Sequence, residues 1–283
     1  MAQIIDGKGI AKKIHTKTAH KVASLKAKNI TVKLAVILVG DDKASALYVK
    51  KKGQAAKRVG MAFELHEYPA SIAYNELQQE ITKIQADPIL SGLIIQLPVP
   101  ENFYPHILDV VDPRVDVDCL THYNLGKLVM GTHSIMPPTP GAVLSVLDDI
   151  EIDLKGKKIT IVGAGVLVGK PLSIALMNKE ATVTICNEFT PDLKEHTRAS
   201  DIIISGVGKK HIITADMIRE GAIVIDAGVD FENNQMFGDV DFDEIQKKAS
   251  YITPTPGGIG PLTVAHLLLN TAVLVEERLA HYE

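Results

Sequence analysis

The feature that most constrains the fold of this chain is the regular alternation of short β-branched runs with longer amphipathic stretches. Apolar runs predicted as strands in the first half lie at 33–39, 63–68 and 92–97. Stretches with helical spacing flank these runs, at 8–29, 43–59 and 74–85. The order strand, helix, strand, helix, strand predicts a parallel sheet with helices on both faces.

The second half continues in the same style and ends in a long apolar helix. Its predicted strands are 158–162, 181–186, 201–207, 222–227 and 251–253, and its shorter predicted helices are 169–178, 191–198 and 214–219. A final helix at 261–280 is expected to pack back on the first domain. The proline-rich run 136–141 predicts a rigid crossing between domains, followed by a linking helix at 142–149.

We therefore predict an α/β fold of two domains, each with a mainly parallel sheet flanked by helices, the second Rossmann-like. The first domain is expected to comprise residues 1–119 and 260–283, and the second residues 140–258. A chain of 283 residues can bury cores of this size without disulfides or metal ions.

Composition narrows the class of protein. A net charge of −4 argues against a partner bound by phosphate neutralisation, so no nucleic acid is expected. The two cysteines, Cys119 and Cys186, lack metal-type spacing, so they are interpreted as reduced thiols and no metal is expected. The chain shows no signal-peptide pattern and no apolar run of the roughly 20 residues that span a bilayer. A soluble cytoplasmic protein without a membrane partner is predicted.

A glycine loop after the predicted strand 158–162 indicates a dinucleotide site. Its spacing is G-x-G-x-x-x-G, and glycines there allow backbone N–H groups to approach a pyrophosphate at a helix N-terminus. The predicted cofactor-binding residues of this loop are Gly163, Ala164, Gly165, Val168 and Gly169. A tight turn without a ligand is the alternative.

Further cofactor contacts are predicted where the other strands end, because ligands of open α/β sheets bind outside the carboxyl ends of strands. These residues are Asn187, Glu188, Thr190, Gly206, Val207, Gly228 and Val229. Glu188 follows Gly163 by 25 residues, near the position of the acidic side chain that commonly accepts hydrogen bonds from the adenosine ribose of NAD. A solvated loop residue is an equally good interpretation of Glu188.

The first half carries candidate groups for chemistry. Ser45, Tyr48 and Lys52 share one helix face, but spacing alone favours a solvated basic face for this lysine-rich stretch. Gln96 ends an apolar strand, and Asp116 and Asp118 lie in a polar turn where an Asx turn is the simplest explanation. The loop 254–261, with three prolines and three glycines, suits either close contact with a flat ring or a rigid turn.

Together these segments resemble one family. The chain carries Tyr48-x-x-x-Lys52, Gln96-Leu97-Pro98, Asp116-Val-Asp118 and Pro254-x-Pro-Gly-Gly-x-Gly-Pro-x-Thr263 in that order. It resembles the bifunctional methylenetetrahydrofolate dehydrogenase/methenyltetrahydrofolate cyclohydrolase family, nearly end to end. The resemblance implies oxidation of 5,10-methylenetetrahydrofolate with a nicotinamide cofactor, NADP by default, and hydrolysis of the methenyl product to 10-formyltetrahydrofolate. It also implies a homodimer with a folate substrate.

Residue roles are likewise implied by the resemblance. Lys52 would be the central catalytic residue of the hydrolytic step, with Tyr48 stacking on the folate, Gln96 tuning Lys52 and Asp118 binding the pterin. The residues expected to contact the substrate are Ser45, Tyr48, Gln96, Leu97, Pro98, Asp118, Pro256, Gly257, Gly258, Pro261 and Thr263.

The chain departs from the family pattern mainly around the cofactor. Ala164-Gly165 replaces Arg-Ser or Ala-Ser, and Asn187 replaces a histidine and precedes Glu188. Pro138 and Cys119 replace the family's cysteine and glycine at two further positions. Because Glu188 would repel a ribose phosphate and the loop lacks an arginine, we predict better use of NAD than in relatives. Alternatives are a cyclohydrolase-only or non-catalytic folate- or nucleotide-binding relative, and a shikimate-type two-domain dehydrogenase.

Overall fold

The computed structural model describes residues 1–232 and 235–280, and the chain packs as two compact units. We call them by their sheets. The six-stranded unit comprises Met1–Lys12 and Thr139–Thr263. The three-stranded unit comprises Lys13–Pro138 and the described chain from Val264 onward.

The three-stranded unit is built on a parallel sheet in the order β3-β2-β4. Its strands are β2 (Lys33–Val39), β3 (Ala62–Tyr68) and β4 (Leu90–Gln96). The helices that contribute to it are α1 (Gly7–Ala27), α2 (Lys43–Arg58), α3 (Tyr74–Gln85), α4 (His122–Val129) and α9 (Ile259–Ala280). A short 3-10 helix spans His106–Val110.

The central strand β2 explains why this unit needs helices on both faces. All its residues except Lys33 are buried, so both faces of the strand are covered by apolar groups. One core cluster combines Leu34 and Val36 with Leu268 and Val275 of α9, and a second lies around Ile37. The amphipathic helix α3 buries Leu77 and Ile81 in this second cluster.

The six-stranded unit has a wholly parallel sheet in the order β1-β11-β8-β7-β5-β6. Its strands are β1 (Gln3–Ile4), β5 (Lys158–Val162), β6 (Thr182–Cys186), β7 (Ile202–Ser205), β8 (Ile223–Asp226) and β11 (Tyr251–Ile252). A separate antiparallel hairpin pairs β9 (Asp230–Glu232) with β10 (Gln235–Phe237). The remaining helices of this unit are α5 (Pro138–Asp149), α6 (Gly169–Met177), α7 (Leu193–Arg198) and α8 (Phe242–Ile245). Of these, only α5 has a residue in the other unit, its first residue Pro138.

The predicted α/β class and parallel sheets are confirmed, with most strand and helix bounds within one or two residues. The helix predicted at 214–219 is wrong, because only Ala215–Met217 forms a 3-10 turn. Ile218 follows with an extended backbone (φ −116°, ψ 156°) and is fully buried. Burial of the Ile218 side chain thus goes with an extended backbone, and the helix does not continue past Met217.

The proline run is not a free connector. Pro138 and Pro140 lie in the first turn of α5, where a proline costs little because the N–H it lacks would have no helical partner. The predicted crossing at 136–141 therefore ends at the start of a helix.

The sequence analysis missed several elements because they are short or lack a clear apolar period. These are the strands β1, β9 and β10 and the helices α4 and α8.

The N-terminus divides differently from the predicted domains. Residues 1–12 belong to the six-stranded unit, because Gln3 and Ile4 of β1 pair with Tyr251 and Ile252 of β11.

Helix α9 is long and apolar enough to cross a bilayer, which the sequence analysis overlooked. However, 56% of its apolar 18-residue stretch is buried inside the fold.

Candidate functional site

Lys52 and Gln96 form the centre of a polar cluster in the three-stranded unit. The Asp42 carboxylate caps α2 by accepting a 2.7 Å hydrogen bond from the Ser45 N–H, which fixes where the helix begins. Two turns on, the Lys52 Nζ donates a 2.9 Å hydrogen bond to Oε1 of Gln96. Gln96 is the last residue of β4, which pairs with β2, so a helix and a strand end jointly hold the ammonium group.

Burial and one carboxylate set the protonation of Lys52. Burial lowers the pKa of the Lys52 ammonium, and the negative charge of Asp118 opposes that effect. Burial raises the pKa of the Asp118 carboxyl to about 6, since its desolvation outweighs the stabilising charge of Lys52, and Asp116 adds to the rise. An amine with a lowered pKa can exchange protons near neutral pH, as general acid–base catalysis requires.

Lys52 is distinct from the basic face around it. Lys50, Lys51, Lys57 and Arg58 are exposed to solvent, whereas Lys52 is half-buried. The solvated basic face expected from spacing therefore exists, but Lys52 is not part of it. The environment of this one lysine depends on its contact with β4, which the spacing within α2 does not reveal.

The neighbouring candidates surround the same strand end. Tyr48 is half-buried, and its burial raises the pKa of its phenol. The buried Ser45 hydroxyl donates to the Leu97 carbonyl at 3.4 Å, and the Gln96 Nε2 donates to the same oxygen at 2.7 Å. The Leu97–Pro98 peptide bond is cis. These contacts bring Ser45, Gln96 and Leu97 together at the carboxyl end of β4.

The two aspartates of the polar turn have different roles. Asp116 is buried and accepts hydrogen bonds from the backbone N–H groups of Leu120 and Thr121 and from the Asn124 amide. Asp116 therefore holds the chain that follows it, but through donors four to eight residues on, which is a longer-range arrangement than an Asx turn. Asp118, in contrast, is partly exposed and is the carboxylate that acts on Lys52.

Asn270 is a supporting residue that the sequence analysis missed. It lies on α9, and its buried Nδ2 donates to the carbonyl oxygens of Val117 at 2.9 Å and Met136 at 2.8 Å. It therefore anchors the backbone directly before Asp118. Asparagine inside a long apolar helix was a usable signal, because a buried amide needs partners.

In the six-stranded unit, the strand ends are in register. Val162 of β5 pairs with Cys186 of β6 and Ser205 of β7, and Ser205 pairs with Asp226 of β8. The loops that follow these four residues therefore start from one row at the carboxyl edge of the sheet. They carry the predicted cofactor-binding residues Gly163, Ala164, Gly165, Val168, Gly169, Asn187, Glu188, Thr190, Gly206, Val207, Gly228 and Val229.

The glycine loop fits a dinucleotide. Gly163 has φ +109°, and a side chain there would meet the Gly206 carbonyl oxygen at 2.8 Å. A side chain on Gly169 would lie 1.8 Å from the Gly163 carbonyl oxygen, whereas one on Gly165 would meet open space. No side chain in the described part of the chain caps the N-terminus of α6. An open backbone loop at an uncapped helix start is the usual cradle for a pyrophosphate.

The loop after β6 is held in shape by its own side chains. The Asn187 Oδ1 accepts a 3.0 Å hydrogen bond from the Phe189 N–H, and the Thr190 hydroxyl accepts one of 2.9 Å from the Asn187 N–H. Glu188 is exposed at this turn, and Phe189 is 83% exposed. Asn187 and Thr190 therefore shape the turn, and Glu188 is left directed to solvent.

Asp239 is a second residue that the sequence analysis missed. It follows β10 and is completely buried. Its carboxylate accepts hydrogen bonds from the Ser205 hydroxyl and from the N–H groups of Val207, Gly208 and Lys209, at 2.6–2.9 Å. The only sequence signal was an acidic residue after a glycine and before an apolar residue, which is common in loops.

The loop 254–263 is also close-packed within the six-stranded unit. Gly257 has φ +112°, and a side chain on Gly258 would meet the Pro254 carbonyl oxygen at 2.6 Å. The hydroxyls of Thr139 and Thr263 are 3.4 Å apart. The rigid-turn interpretation is thus supported. The predicted substrate residues Pro256, Gly257, Gly258, Pro261 and Thr263 lie in this unit, and the remaining predicted substrate residues lie in the other.

A parallel sheet with a glycine loop at its carboxyl edge, together with a second α/β unit carrying a half-buried lysine–glutamine–aspartate cluster, defines a two-unit α/β enzyme with a nicotinamide-dinucleotide-binding part. Two family models match this chain: tetrahydrofolate dehydrogenase/cyclohydrolase, catalytic domain, over residues 5–118, and the NAD(P)-binding domain of the same enzyme over residues 137–279. The chain belongs to the tetrahydrofolate dehydrogenase/cyclohydrolase family.

Individual relatives agree along the whole chain. The bifunctional protein FolD of Nautilia profundicola is 50% identical, with 95% of each chain covered. The crystal structure of the bifunctional enzyme FolD from Campylobacter jejuni has a TM-score of 0.95 and 40% identity, covering 98% of this chain and 100% of the other. FolD from Trypanosoma brucei, complexed with NADP cofactor and inhibitor, has a TM-score of 0.94 and 33% identity, with 98% of each chain covered.

The shikimate-type alternative is not favoured. Shikimate 5-dehydrogenase from Thermus thermophilus has a TM-score of 0.53 at 15% identity, a likeness that shows a related fold alone. The predicted family resemblance is confirmed.

Proposed function

We propose that this protein oxidises 5,10-methylenetetrahydrofolate to 5,10-methenyltetrahydrofolate with NAD or NADP and hydrolyses the product to 10-formyltetrahydrofolate. Family membership supports both reactions. The observation that supports the proposal is the 2.9 Å hydrogen bond from Lys52 to Gln96, together with the electrostatic interaction of Lys52 with the partly exposed Asp118 carboxylate. Burial lowers the pKa of this lysine, which makes it a suitable group to move protons at a folate carbon.

Lys52 is proposed to move protons in the hydrolytic step. As a neutral amine it accepts a proton during attack of water on the methenyl carbon, and as an ammonium it returns one when the ring opens. Gln96 holds the Nζ by its amide oxygen, so the amine keeps one orientation throughout. A lysine on the exposed basic face would remain charged and would be unable to accept the proton.

Tyr48 and Asp118 are proposed to hold the substrate. The half-buried Tyr48 ring offers a face on which a flat heterocycle can stack. Asp118 would accept two hydrogen bonds from the amino-pyrimidine edge of the pterin, a pairing suited to a carboxylate. Substrate contacts are further proposed for Ser45, Leu97 and Pro98 and for the loop residues Pro256, Gly257, Gly258, Pro261 and Thr263.

The six-stranded unit is proposed to hold the dinucleotide. When bound, a nicotinamide cofactor supplies the two-electron acceptor for the methylene carbon. Backbone N–H groups of the glycine loop at Ala164, Gly165 and Gly169 are proposed to receive the pyrophosphate, and the open space above Gly165 leaves it room. The six-stranded unit, Met1–Lys12 with Thr139–Thr263, would thus form the dinucleotide domain, and the three-stranded unit the folate domain.

Both reactions are tested by supplying each substrate separately. Purified protein is mixed with methylenetetrahydrofolate and NAD or NADP, and then with the methenyl compound alone. We expect Lys52→Ala to lose at least about a hundredfold of the hydrolytic rate, the usual contribution of general acid–base catalysis. The matched control is Lys57→Ala, an exposed lysine on the same helix, which should retain the wild-type rate. Equal activity of both variants would contradict the role of Lys52.

A preference for NAD is the finer proposal. Glu188 is exposed at the carboxyl end of β6, where an acidic side chain accepts hydrogen bonds from the ribose and repels a ribose phosphate. Side-by-side titrations should give a lower dissociation constant for NAD than for NADP. In Glu188→Gln the ratio should shift toward NADP by about tenfold, while Glu195→Gln on α7 leaves it unchanged. Tighter binding of NADP by the wild type would refute this proposal.

Assembly and location are also proposed from the family resemblance. We propose a homodimer in the cytoplasm, with tetrahydrofolate one-carbon metabolism as its setting. Sedimentation of the purified protein at micromolar concentration should give twice the chain mass of 30.6 kDa. A single species at the chain mass would exclude the dimer.

A further inference from the structure

Two buried carboxylates, Asp226 and Asp239, lie beneath the loops that end β7 and β8. Asp239 is fully buried and Asp226 is 3% exposed. Gly228, two residues after Asp226, leaves room for Asp239, because a side chain on Gly228 would meet the Asp239 carboxylate at 2.1 Å. Gly238, directly before Asp239, leaves room for Asp226, because a side chain on Gly238 would meet Asp226 Oδ2 at 1.8 Å. The two carboxylates therefore pack closely against Gly228 and Gly238, because a methyl group at either glycine would displace a carboxylate.

The Asp239 carboxylate has a complete set of donors. Its Oδ2 accepts from the Ser205 hydroxyl at 2.6 Å and the Val207 N–H at 2.7 Å. Its Oδ1 accepts from the Gly208 N–H at 2.9 Å and the Lys209 N–H at 2.8 Å. Four donors match the roughly four acceptor sites of a carboxylate, so its hydrogen-bonding capacity is fully used.

Three of these donors are consecutive backbone N–H groups. A run of N–H groups that converges on one anion forms a concave loop, which here encloses an internal carboxylate. Asp239 therefore fixes the path of the loop Gly206–Lys209, including Gly208 at φ +78°. Without the anion, three backbone N–H groups of this exposed loop would lose their acceptor, which favours another loop shape.

Asp226 fixes Asp239 in turn. Its carboxylate accepts from the Asp239 N–H at 3.2 Å, the Val240 N–H at 3.2 Å and the Gly228 N–H at 3.0 Å. The Thr253 hydroxyl accepts the Asp226 N–H at 2.7 Å, which ties the arrangement to the chain after β11. The result is a chain of contacts from the sheet through Asp226 to Asp239 and on to the loop.

We propose that Asp239 is a positioning residue for the dinucleotide, which sets the shape of the Gly206–Lys209 loop from beneath and is itself held by Asp226. This inference rests on the proposed function and on the cofactor contacts predicted from the sequence for Gly206, Val207, Gly228 and Val229. Asp239 does not touch the cofactor, because the loop that it holds encloses it completely. Its effect is on cofactor affinity and is separate from the lysine-centred chemistry of the three-stranded unit.

The test compares Asp239→Asn with two other variants. An asparagine has one oxygen for four donors, so we expect the dissociation constants of both NAD and NADP to rise at least about tenfold. Ser205→Ala removes one donor and leaves the three N–H contacts, so a rise of about threefold is expected. Asp243→Asn, an exposed aspartate on α8, is the matched control and should bind like the wild type.

Titration calorimetry gives the affinities, and hydrolysis of the methenyl substrate without cofactor gives an independent readout. We expect the Michaelis constant and turnover of that hydrolysis to stay within about twofold of wild type in Asp239→Asn. Parallel loss of hydrolysis and cofactor affinity would reveal a general structural role and overturn the proposal, as would unchanged affinity. If Asp239→Asn fails to fold, unchanged cofactor affinity in Ser205→Ala overturns it. A wild type that binds neither dinucleotide would instead refute the proposed function.

Discussion

The Lys52 ammonium donates a 2.9 Å hydrogen bond to the side-chain oxygen of Gln96, and the two residues are 44 positions apart in the chain. The contact joins helix α2 to the end of strand β4. It orients the amine by a neutral acceptor. Because the acceptor carries no charge, it holds the group without forcing it to remain protonated.

Replacing that neutral acceptor by a charged one tests this interpretation. Gln96→Glu places a carboxylate beside Lys52, which raises the pKa of its ammonium and leaves less neutral amine at pH 7. The hydrolytic rate should fall about tenfold or more, and the limb of the pH–rate profile that reports Lys52 should move to higher pH. Steady-state rates between pH 6 and 10 measure both effects. Gln79→Glu on the exposed face of α3 is the control, and a matching shift there would rule out a local cause.

Removal of the Asp118 charge should act in the opposite direction. That charge raises the pKa of Lys52 against the effect of burial, so Asp118→Asn lowers the pKa of the lysine further. The same limb of the pH–rate profile is expected at lower pH, with a higher Michaelis constant for the folate. Asp41→Asn, exposed before α2, should leave the profile unchanged. An unchanged limb in Asp118→Asn would mean that the two charges do not interact.

Substitutions at two glycines of the cofactor loop should affect the free energy of unfolding and the affinity for the dinucleotide to different extents. An added methyl at Gly169 would lie 1.8 Å from the Gly163 carbonyl oxygen, so Gly169→Ala should reduce the free energy of unfolding by about 1–3 kcal/mol. A methyl at Gly165 meets open space, so Gly165→Ala should leave stability within about 0.5 kcal/mol while weakening dinucleotide binding. Denaturant unfolding and cofactor titration measure the two quantities. Equal loss of stability in both variants would contradict the loop geometry.

His266 should make stability depend on pH. Burial, assisted by the charge of Lys17, lowers the pKa of its imidazole from 6.5 to about 4. The folded state therefore holds neutral His266 where the unfolded state binds a proton, and stability is lost as the pH falls from about 6.5 toward 4. This group contributes roughly 2–3 kcal/mol of that loss.

The contribution of His266 is measured as a difference. Unfolding by denaturant at pH 7 and pH 4.5 is compared for the wild type and His266→Gln, so that effects common to both cancel. The variant should lose less stability between the two values. His20→Gln, on α1, serves as the histidine control, and an equal pH dependence in wild type and His266→Gln would show that His266 is not the source.

Local patterns in the amino-acid sequence were sufficient to predict the layered architecture. Alternating apolar runs and amphipathic stretches located β2, β5, α3 and α6 closely, because the period of buried side chains is a local property of each element. The glycine loop at Gly163–Gly169 was likewise visible, since its spacing and its place between a strand and a helix are local. Segments whose structure depends on distant partners were missed, such as β1, which pairs with a strand almost 250 residues away.

Which polar side chains interact with one another became clear from the folded structure alone. Lys50, Lys51 and Lys52 cannot be distinguished by sequence pattern. Lys52 differs from the other two in its hydrogen bond to Gln96 and in its lowered pKa, which results from burial near Asp118. Asp239 gave almost no signal in the sequence, yet the Ser205 hydroxyl at the end of β7 and three N–H groups of the following loop converge on its carboxylate. Desolvation and hydrogen-bond partners arise from groups far apart in the chain, so the protonation of Lys52 and the place of Asp239 were fixed by folding and not by local pattern.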